Sequence, residues 1–195
     1  MSNSNRPERT RREILDAAWN LIRERGAEVS LSEIAAAAGI TRQSIYVHFG
    51  SRGGLLFELV RRTDERERFF ERFDEALATP GAAARLDRCL GVWFDFVSQI
   101  EAVALDLIRL RPRDEDAAQA WDDRMRDLRR VLRRLVRSLH DEGALAESWT
   151  VARATDYLWA VSSVQTWALL VKDRRWKGDA AAKVLRQGLA RALLK

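Results

Sequence analysis

The stretch IAAAAGITRQSIYVHFGSR, from Ile34 to Arg52, decides the fold. An alanine-packed apolar segment ends at Gly39 and a new segment opens at Thr41. Ser30 followed by Glu33 has the spacing of a capping box, so a helix starts near Leu31. Gly39 can take the positive φ that a tight turn needs, and Thr41 can cap the next helix. Helix, glycine turn, helix is helix-turn-helix spacing. Ala35 leaves room for the two helices to cross closely, while Ile34, Ile40, Ile45 and Phe49 fill the wedge between them. Arg42, Gln43, Ser44, Tyr46, Val47 and His48 are left facing outward. No Asp or Glu occurs from Ile34 to Phe57, in a chain that has 29 of them.

Such a second helix fits the major groove of DNA. There arginine pairs with guanine, glutamine with adenine, and small side chains sit near thymine methyl groups. Tyr46 and His48 can donate to phosphates, and Arg52, at the start of a fourth helix capped by Ser51, can meet another. Acids on that face would repel phosphate, which accounts for their absence. Arg6, Arg9, Arg11 and Arg12 are placed to follow the DNA backbone or enter the minor groove. The plainer reading is a helix pair with a solvated polar face, a common arrangement in helical proteins.

Working outward, the chain has 195 residues, 47% hydrophobic and 32% charged, with a formal net charge of +5. That suits a packed core and mildly favours an anionic partner. A single cysteine, Cys89, excludes an internal disulfide, and with only two histidines a Cys/His metal centre is not expected. No apolar leader opens the chain and no segment reaches the roughly 20 apolar residues of a membrane span, so a cytoplasmic protein with no membrane partner is expected.

The remaining segments carry a helical period, and none shows sustained period-two alternation. An all-α fold of about nine helices follows. Ile14, Ala18 and Ile22 with Leu15 and Trp19 give the first helix an apolar face, closed by Gly26. The fourth helix is expected to run from Ser51 through Phe69 and Phe73 to about Leu77. Thr79-Pro80 reads as a stop and a start, with proline at the first helical position. One helix carries Leu86 to Val97, a shorter one reaches Leu110, and a long Arg-rich helix spans Asp114 to about His140. Ser148 or Thr150 opens the penultimate helix, and Asp179 caps the last. No proline- or glycine-rich linker separates the first three helices from the rest.

The segment LSEIAAAAGITRQSIYVHFGSRGGLL, Leu31 to Leu56, resembles the DNA-binding region of the tetracycline-repressor (TetR) family. That pattern runs through an apolar-alanine helix, AGV, a short polar run, YxHF and a lysine before LL. Ala38-Gly39-Ile40, Tyr46, His48 and Phe49 match, and Arg52 keeps the charge of the usual lysine. Gly53-Gly54 departs from the commoner charged residue followed by alanine. The resemblance covers about Glu13 to Leu59. It implies DNA contacts from Thr41, Arg42, Gln43, Ser44, Tyr46, His48 and Arg52, in a DNA-binding domain of residues 1–62. It further implies a helical bundle of residues 63–195 that dimerises through its last two helices and often encloses a small-molecule pocket.

Beyond the motif the residues support the dimer on their own account. Val151, Ala154, Leu158, Val161, Gln165 and Ala168 form one stripe of the penultimate helix, and Trp159, Ser163, Thr166 and Leu170 another. A helix apolar on two faces needs two partners. Val161, Gln165 and Ala168, with Leu185 and Leu189 of the last helix, are the candidate interface; the alternative is a central helix buried in a monomer. Six of seven tryptophans lie beyond residue 90. Trp93, Phe96, Trp121, Met125, Trp159, Ser163 and Trp167 are candidates to line an apolar cavity, against the alternative that they are packed core. The arginine run from Arg126 to Arg137 reads as a solvated face paired with nearby acids. No nucleophile, base and orienting acid can be assembled, so neither an enzyme nor a cofactor is expected. The reading is a ligand-responsive, homodimeric repressor that binds a palindromic operator in double-stranded DNA, its effector an apolar or aromatic small molecule. A DNA-binding regulator without small-molecule input is the alternative. A helical enzyme or lipid-binding protein with an incidental helix-turn-helix is a third class.

Overall fold

In the computed structural model, which describes residues 6–26 and 29–195, the elements are helical. In order they are α1 (Arg6–Arg25), α2 (Leu31–Ala37), α3 (Arg42–Phe49), α4 (Arg52–Glu67), α5 (Phe69–Leu77), α6 (Ala82–Leu110) and α7 (Glu115–Asp141). Then follow α8 (Val151–Val161), α9 (Val164–Ala168), a π-helical turn (Leu169–Asp173) and α10 (Gly178–Leu193). Among the described residues the only β contact is the isolated bridge between Leu145 and Leu194.

The chain divides into two compact units. One takes the residues up to Thr63 together with Ala102–Asp123; the other takes Asp64–Glu101 and Arg124–Lys195. The three passages between them fall inside α4, α6 and α7, so no extended linker joins the units. In the first unit Ile14, Ala18, Ile22, Ile34, Ile45, Leu55, Leu56 and Leu59 are buried, as the helical period requires. The second unit is built on Phe73, Leu86, Leu90, Phe94, Leu132, Leu135, Leu139 and Leu158. Burying each of the Ile, Leu and Phe side chains contributes about 1.5–3 kcal/mol.

Several helix ends differ from the sequence-based expectation. The fourth helix does not run to Leu77: it ends at Glu67, and Arg68 takes a left-handed conformation (φ 49°) before α5 begins. Such a backbone is unfavourable for arginine and persists where packing demands it. The turn delivers Phe69 onto Phe96 and Trp93, with ring centroids 4.8 and 5.9 Å apart. The expected pair of helices from Leu86 to Leu110 is one continuous helix, since no proline and no left-handed residue interrupts Ala82–Leu110. Pro80 is not the first helical residue; Gly81 (φ 82°) follows it and α6 starts at Ala82. Asp179 lies inside the first turn of α10, whose N-cap is Lys177. The penultimate helix is divided at Ser162 and Ser163. Ser162 donates to the Leu158 carbonyl at 2.6 Å, while the Ser163 hydroxyl accepts from the Thr166 NH at 3.2 Å and caps α9.

The arginine face of α7 in the second unit is tied to acids: Arg124 to Asp64, Arg129 to Asp156, Arg130 to Asp127, Arg134 to Asp74. Cys89 is fully buried, and burial pushes its thiol up to about 12, so at neutral pH it is an inert core residue.

Candidate nucleic-acid interface

The interface is built from α2, the Gly39 turn and α3. The Ser30 hydroxyl accepts from the Glu33 NH at 3.2 Å and the Glu33 carboxylate accepts from the Ser30 NH at 2.8 Å, closing the capping box. Those bonds from the Ser30 backbone and hydroxyl, with Arg25 at 2.6 Å, hold the Glu33 carboxyl at about 2 instead of 4.5. Gly39 has φ 67°, and the Ile40 NH bonds the Ala35 carbonyl at 3.0 Å, which ends α2 with a tight turn. Thr41 caps α3: its hydroxyl accepts from the Ser44 NH at 3.2 Å and shares a 2.9 Å bond with the Ser44 hydroxyl. Ala35, Ile45 and Phe49 are buried against this frame.

The outer row of α3 is then fixed in register. Thr41, Arg42, Gln43 and Val47 are exposed, while Ser44, Tyr46 and His48 are half-buried. Val47 is 77% exposed, an unusual place for a β-branched aliphatic side chain. Arg42 donates to the Tyr46 hydroxyl at 2.9 Å and its guanidinium carbon lies 5.5 Å from the ring centroid, so the two side chains form a preset pair. The four arginines near the start of the chain belong to α1 rather than to an extended arm. Arg6, Arg9 and Arg12 are exposed, Arg9 paired with Glu13 at 3.5 Å. Arg11 serves the frame: it donates to the His48 carbonyl at 2.6 Å, pairs with Glu58 at 2.9 Å and covers the Phe49 ring at 4.5 Å. Burial pushes the Glu58 carboxyl up, but the bonds and charges of Arg61 and Arg11 outweigh it and leave the group below its ordinary value.

Arg52 is turned inward. Its Nε donates to Asp106 at 2.8 Å, Nη2 pairs with the same carboxylate, and Nη1 donates to the Val29 carbonyl at 2.6 Å. Asp106 is fully buried and also pairs with Arg109. The charge that the motif places at position 52 is therefore engaged in holding the first turn of α4 to the end of α6.

A second carboxylate, Asp114, completes that joint. It accepts from the Ala117 NH at 2.9 Å, capping α7, and from the Ser51 hydroxyl at 3.3 Å and the Gly53 NH at 3.2 Å at the start of α4. The contact is too close for any side chain: a Cβ at Gly53 would lie 2.8 Å from the Ala117 Cα. A Cβ at Gly54 would run into the Phe49 carbonyl. Gly53, Gly54, Asp106 and Asp114 were not legible as site residues; the glycine pair, a departure from the familiar motif, was the trace that the close contact left in the sequence.

The other candidate residues are dispersed. Trp93 and Phe96 pack on Phe69, and the Trp93 indole donates to the Ser162 carbonyl at 2.7 Å. Trp167 stacks on Phe94 at 5.6 Å. Trp159 keeps a buried indole nitrogen without a hydrogen-bond partner, Ser163 caps α9, and Met125 is half-buried. Trp121 is buried in the first unit and the other six lie in the second. A cleft of about 440 Å³ in the first unit has His48, Phe49, Phe57 and Asp116 among its walls and none of these seven residues. Of the candidate dimer residues, Gln165 is exposed, and Val161, Ala168 and Leu185 are half-buried. Leu189 is fully buried in its own chain and cannot face a partner. Leu169, Trp176 and Val184 are instead the exposed large apolar residues of this region.

A family model described as bacterial regulatory proteins, tetR family, matches residues 14–59. Over 51 residues the chain is 47% identical to the HTH-type transcriptional regulator AcrR of Shigella flexneri, a match covering 26% of this chain and 24% of that protein. The chain thus spans about a quarter of the length of that relative. Solved structures resemble it over nearly its whole length. A transcriptional regulator from Saccharomonospora viridis in complex with choline has a TM-score of 0.77 at 20% identity, covering 96% of this chain and 99% of that one. NalD, the secondary repressor of the MexAB-OprM multidrug efflux pump in Pseudomonas aeruginosa, has 0.69 at 24%, covering 96% and 97%. FadR from Bacillus subtilis in complex with stearoyl-CoA has 0.70 at 21%, covering 93% and 98%. At these identities the likeness is one of fold.

Proposed function

We propose that this chain, whose residues 14–59 match the model of the tetR family of bacterial regulatory proteins, is a sequence-specific DNA-binding repressor of transcription. It acts in the cytoplasm as a homodimer on a palindromic operator. Among the described residues no helix is long and apolar enough to cross a membrane. The observation that carries the reading is the outer row of α3. Arg42, Gln43 and Val47 are exposed on a helix whose start, turn and core face are all fixed, inside a span free of acids. Arg42 and Gln43 supply base-edge donors, Val47 an apolar surface for a thymine methyl, and Tyr46 and His48 phosphate contacts.

A small-molecule effector binds residues 63–195 and weakens operator binding. DNA and effector favour different placements of α4, whose residues belong to both units, so each lowers the affinity for the other. The resemblance in fold to regulators solved with choline and with stearoyl-CoA supports such an input. The mutual packing of Phe69, Trp93 and Phe96 favours the other reading, a regulator without small-molecule input.

Selection of bound sequences from random DNA tests the main reading. Enrichment of a palindrome with half-sites about one helical turn apart is the expected result. Binding that is insensitive to salt, or the absence of any enriched sequence, would overturn it.

A further inference from the structure

Glu101 is a buried carboxylate of the second unit whose two oxygens are unequally partnered. It lies on α6 and is 7% exposed, a strongly unfavourable position unless both oxygens are fully bonded. One oxygen, Oε2, accepts from the Trp167 indole at 3.0 Å. The other, Oε1, is buried and accepts no hydrogen bond. Lys172 Nζ stands 3.4 Å from Oε1, supplying charge without hydrogen-bond geometry. The Lys172 side chain is itself 57% exposed.

The surroundings suit an exchangeable cation. Trp167 is held in place twice, by its bond to Glu101 and by stacking on Phe94 with an interplanar angle of 20°. A fixed carboxylate beside fixed aromatic rings is the chemistry that recognises ammonium groups. Lys172 sits in the π-helical turn Leu169–Asp173, which closes the helix that carries Trp167. A permanent structural ion pair would instead be expected to satisfy both carboxylate oxygens.

We propose that Glu101 is the recognition carboxylate for a small molecule that carries an ammonium or quaternary ammonium group on an apolar body. The Lys172 ammonium stands in for that group until the ligand displaces it into water. The charge at Glu101 stays balanced through the exchange, and the apolar body of the ligand adds the burial that Lys172 does not. This rests on the reading of the second unit as effector-binding, and it names the class of effector.

The test uses the full chain with benzyltrimethylammonium and its neutral isostere, neopentylbenzene, titrated by calorimetry and tryptophan fluorescence. The cation is expected to bind about tenfold more tightly than the isostere. Glu101→Gln should remove that preference while leaving operator binding without probe unchanged. Lys172→Met, at an exposed position, should tighten cation binding and leave the isostere unaffected; it decides the matter if the Glu101 variant does not fold. Equal affinity for the two probes, failure of the cation to bind, or weaker cation binding by Lys172→Met would overturn the assignment. If a neutral or anionic compound then binds and releases operator DNA, only the charge class falls. If compounds bind and none alters operator affinity, the effector reading falls instead.

Discussion

Replacing Arg52 with alanine separates two roles that one arginine can hold. A phosphate-gripping arginine contributes to the salt dependence of DNA binding, and its loss lowers the salt slope by about one. The Arg52 guanidinium instead satisfies the fully buried Asp106 and the Val29 carbonyl. Removing it leaves Asp106 to Arg109 alone, so Arg52→Ala is expected to destabilise the protein by about 3 kcal/mol in urea unfolding. At temperatures where the variant stays folded, its salt slope should match wild type; a drop of one unit with stability unchanged would restore the phosphate role. Glu33 carries a pH prediction. Its folded-state value of about 2 lies below the ordinary 4.5, so its contribution is present at neutral pH and is lost as pH falls through that window. Glu33→Gln should therefore be less stable than wild type at pH 7 and indistinguishable from it near pH 2. A gap that persists at the acid end would show that the charge is not what matters. The caps at Ser30 and Thr41 were legible because local chemistry sets them. The inward turn of Arg52 was not, because its partner lies 54 residues away.

At the scale of elements, the joint between α4 and α7 is the feature that period and capping rules do not reach. Helix starts at Ser51 and Asp114 are each readable locally, yet nothing local says that the Asp114 carboxylate serves both. Gly53→Ala is expected to cost about 1–3 kcal/mol by overpacking, since the contact is with the Ala117 backbone and cannot be relieved by a rotamer change. Asp114→Ala should cost about 2 kcal/mol, more than a single cap, because two helix starts lose a partner. Thermal unfolding of the two variants checks both, and a neutral Gly53→Ala would show that the helices separate easily. On α3, Arg42→Ala or Gln43→Ala should relax preference at one base pair by about 1–3 kcal/mol, measured across single-base operator variants. Uniform loss on all sequences would place both residues on the backbone. The break at Arg68 and the division at Ser162-Ser163 escaped sequence reading for a related reason. Neither site carries a proline or glycine, and in the first the packing of Phe69 overrides helix propensity.

At the scale of the molecule, the class of fold was legible because a helical period repeats through nearly every segment, whereas the assignment of Ala102–Asp123 to the first unit was not. That stretch looks in sequence like the middle of a bundle; the buried Asp106, the shared cap of Asp114 and the close contact of Ala117 with Gly53 bind it to the motif. The proposed dimer surface shows the same division between pattern and placement. Periodicity correctly marks α10 as amphipathic, but it cannot say which apolar residues the chain buries itself. Leu189 is taken up internally, while Leu169 and Val184 remain 57% and 49% exposed. In the proposed homodimer these exposed apolar side chains are the candidates for an isologous contact with a second copy. Leu169→Glu combined with Val184→Glu is therefore expected to yield a monomer in sedimentation with an unchanged helical spectrum, since neither side chain supports its own core. Each monomer should still hold a half-site, so affinity for half-site DNA stays at the wild-type value. Affinity for the full operator should fall by about a hundredfold or more, because the second recognition helix no longer binds at high effective concentration. A double variant that remains dimeric would place the contact elsewhere on the chain, and a monomer with undiminished operator affinity would remove the need for two recognition helices.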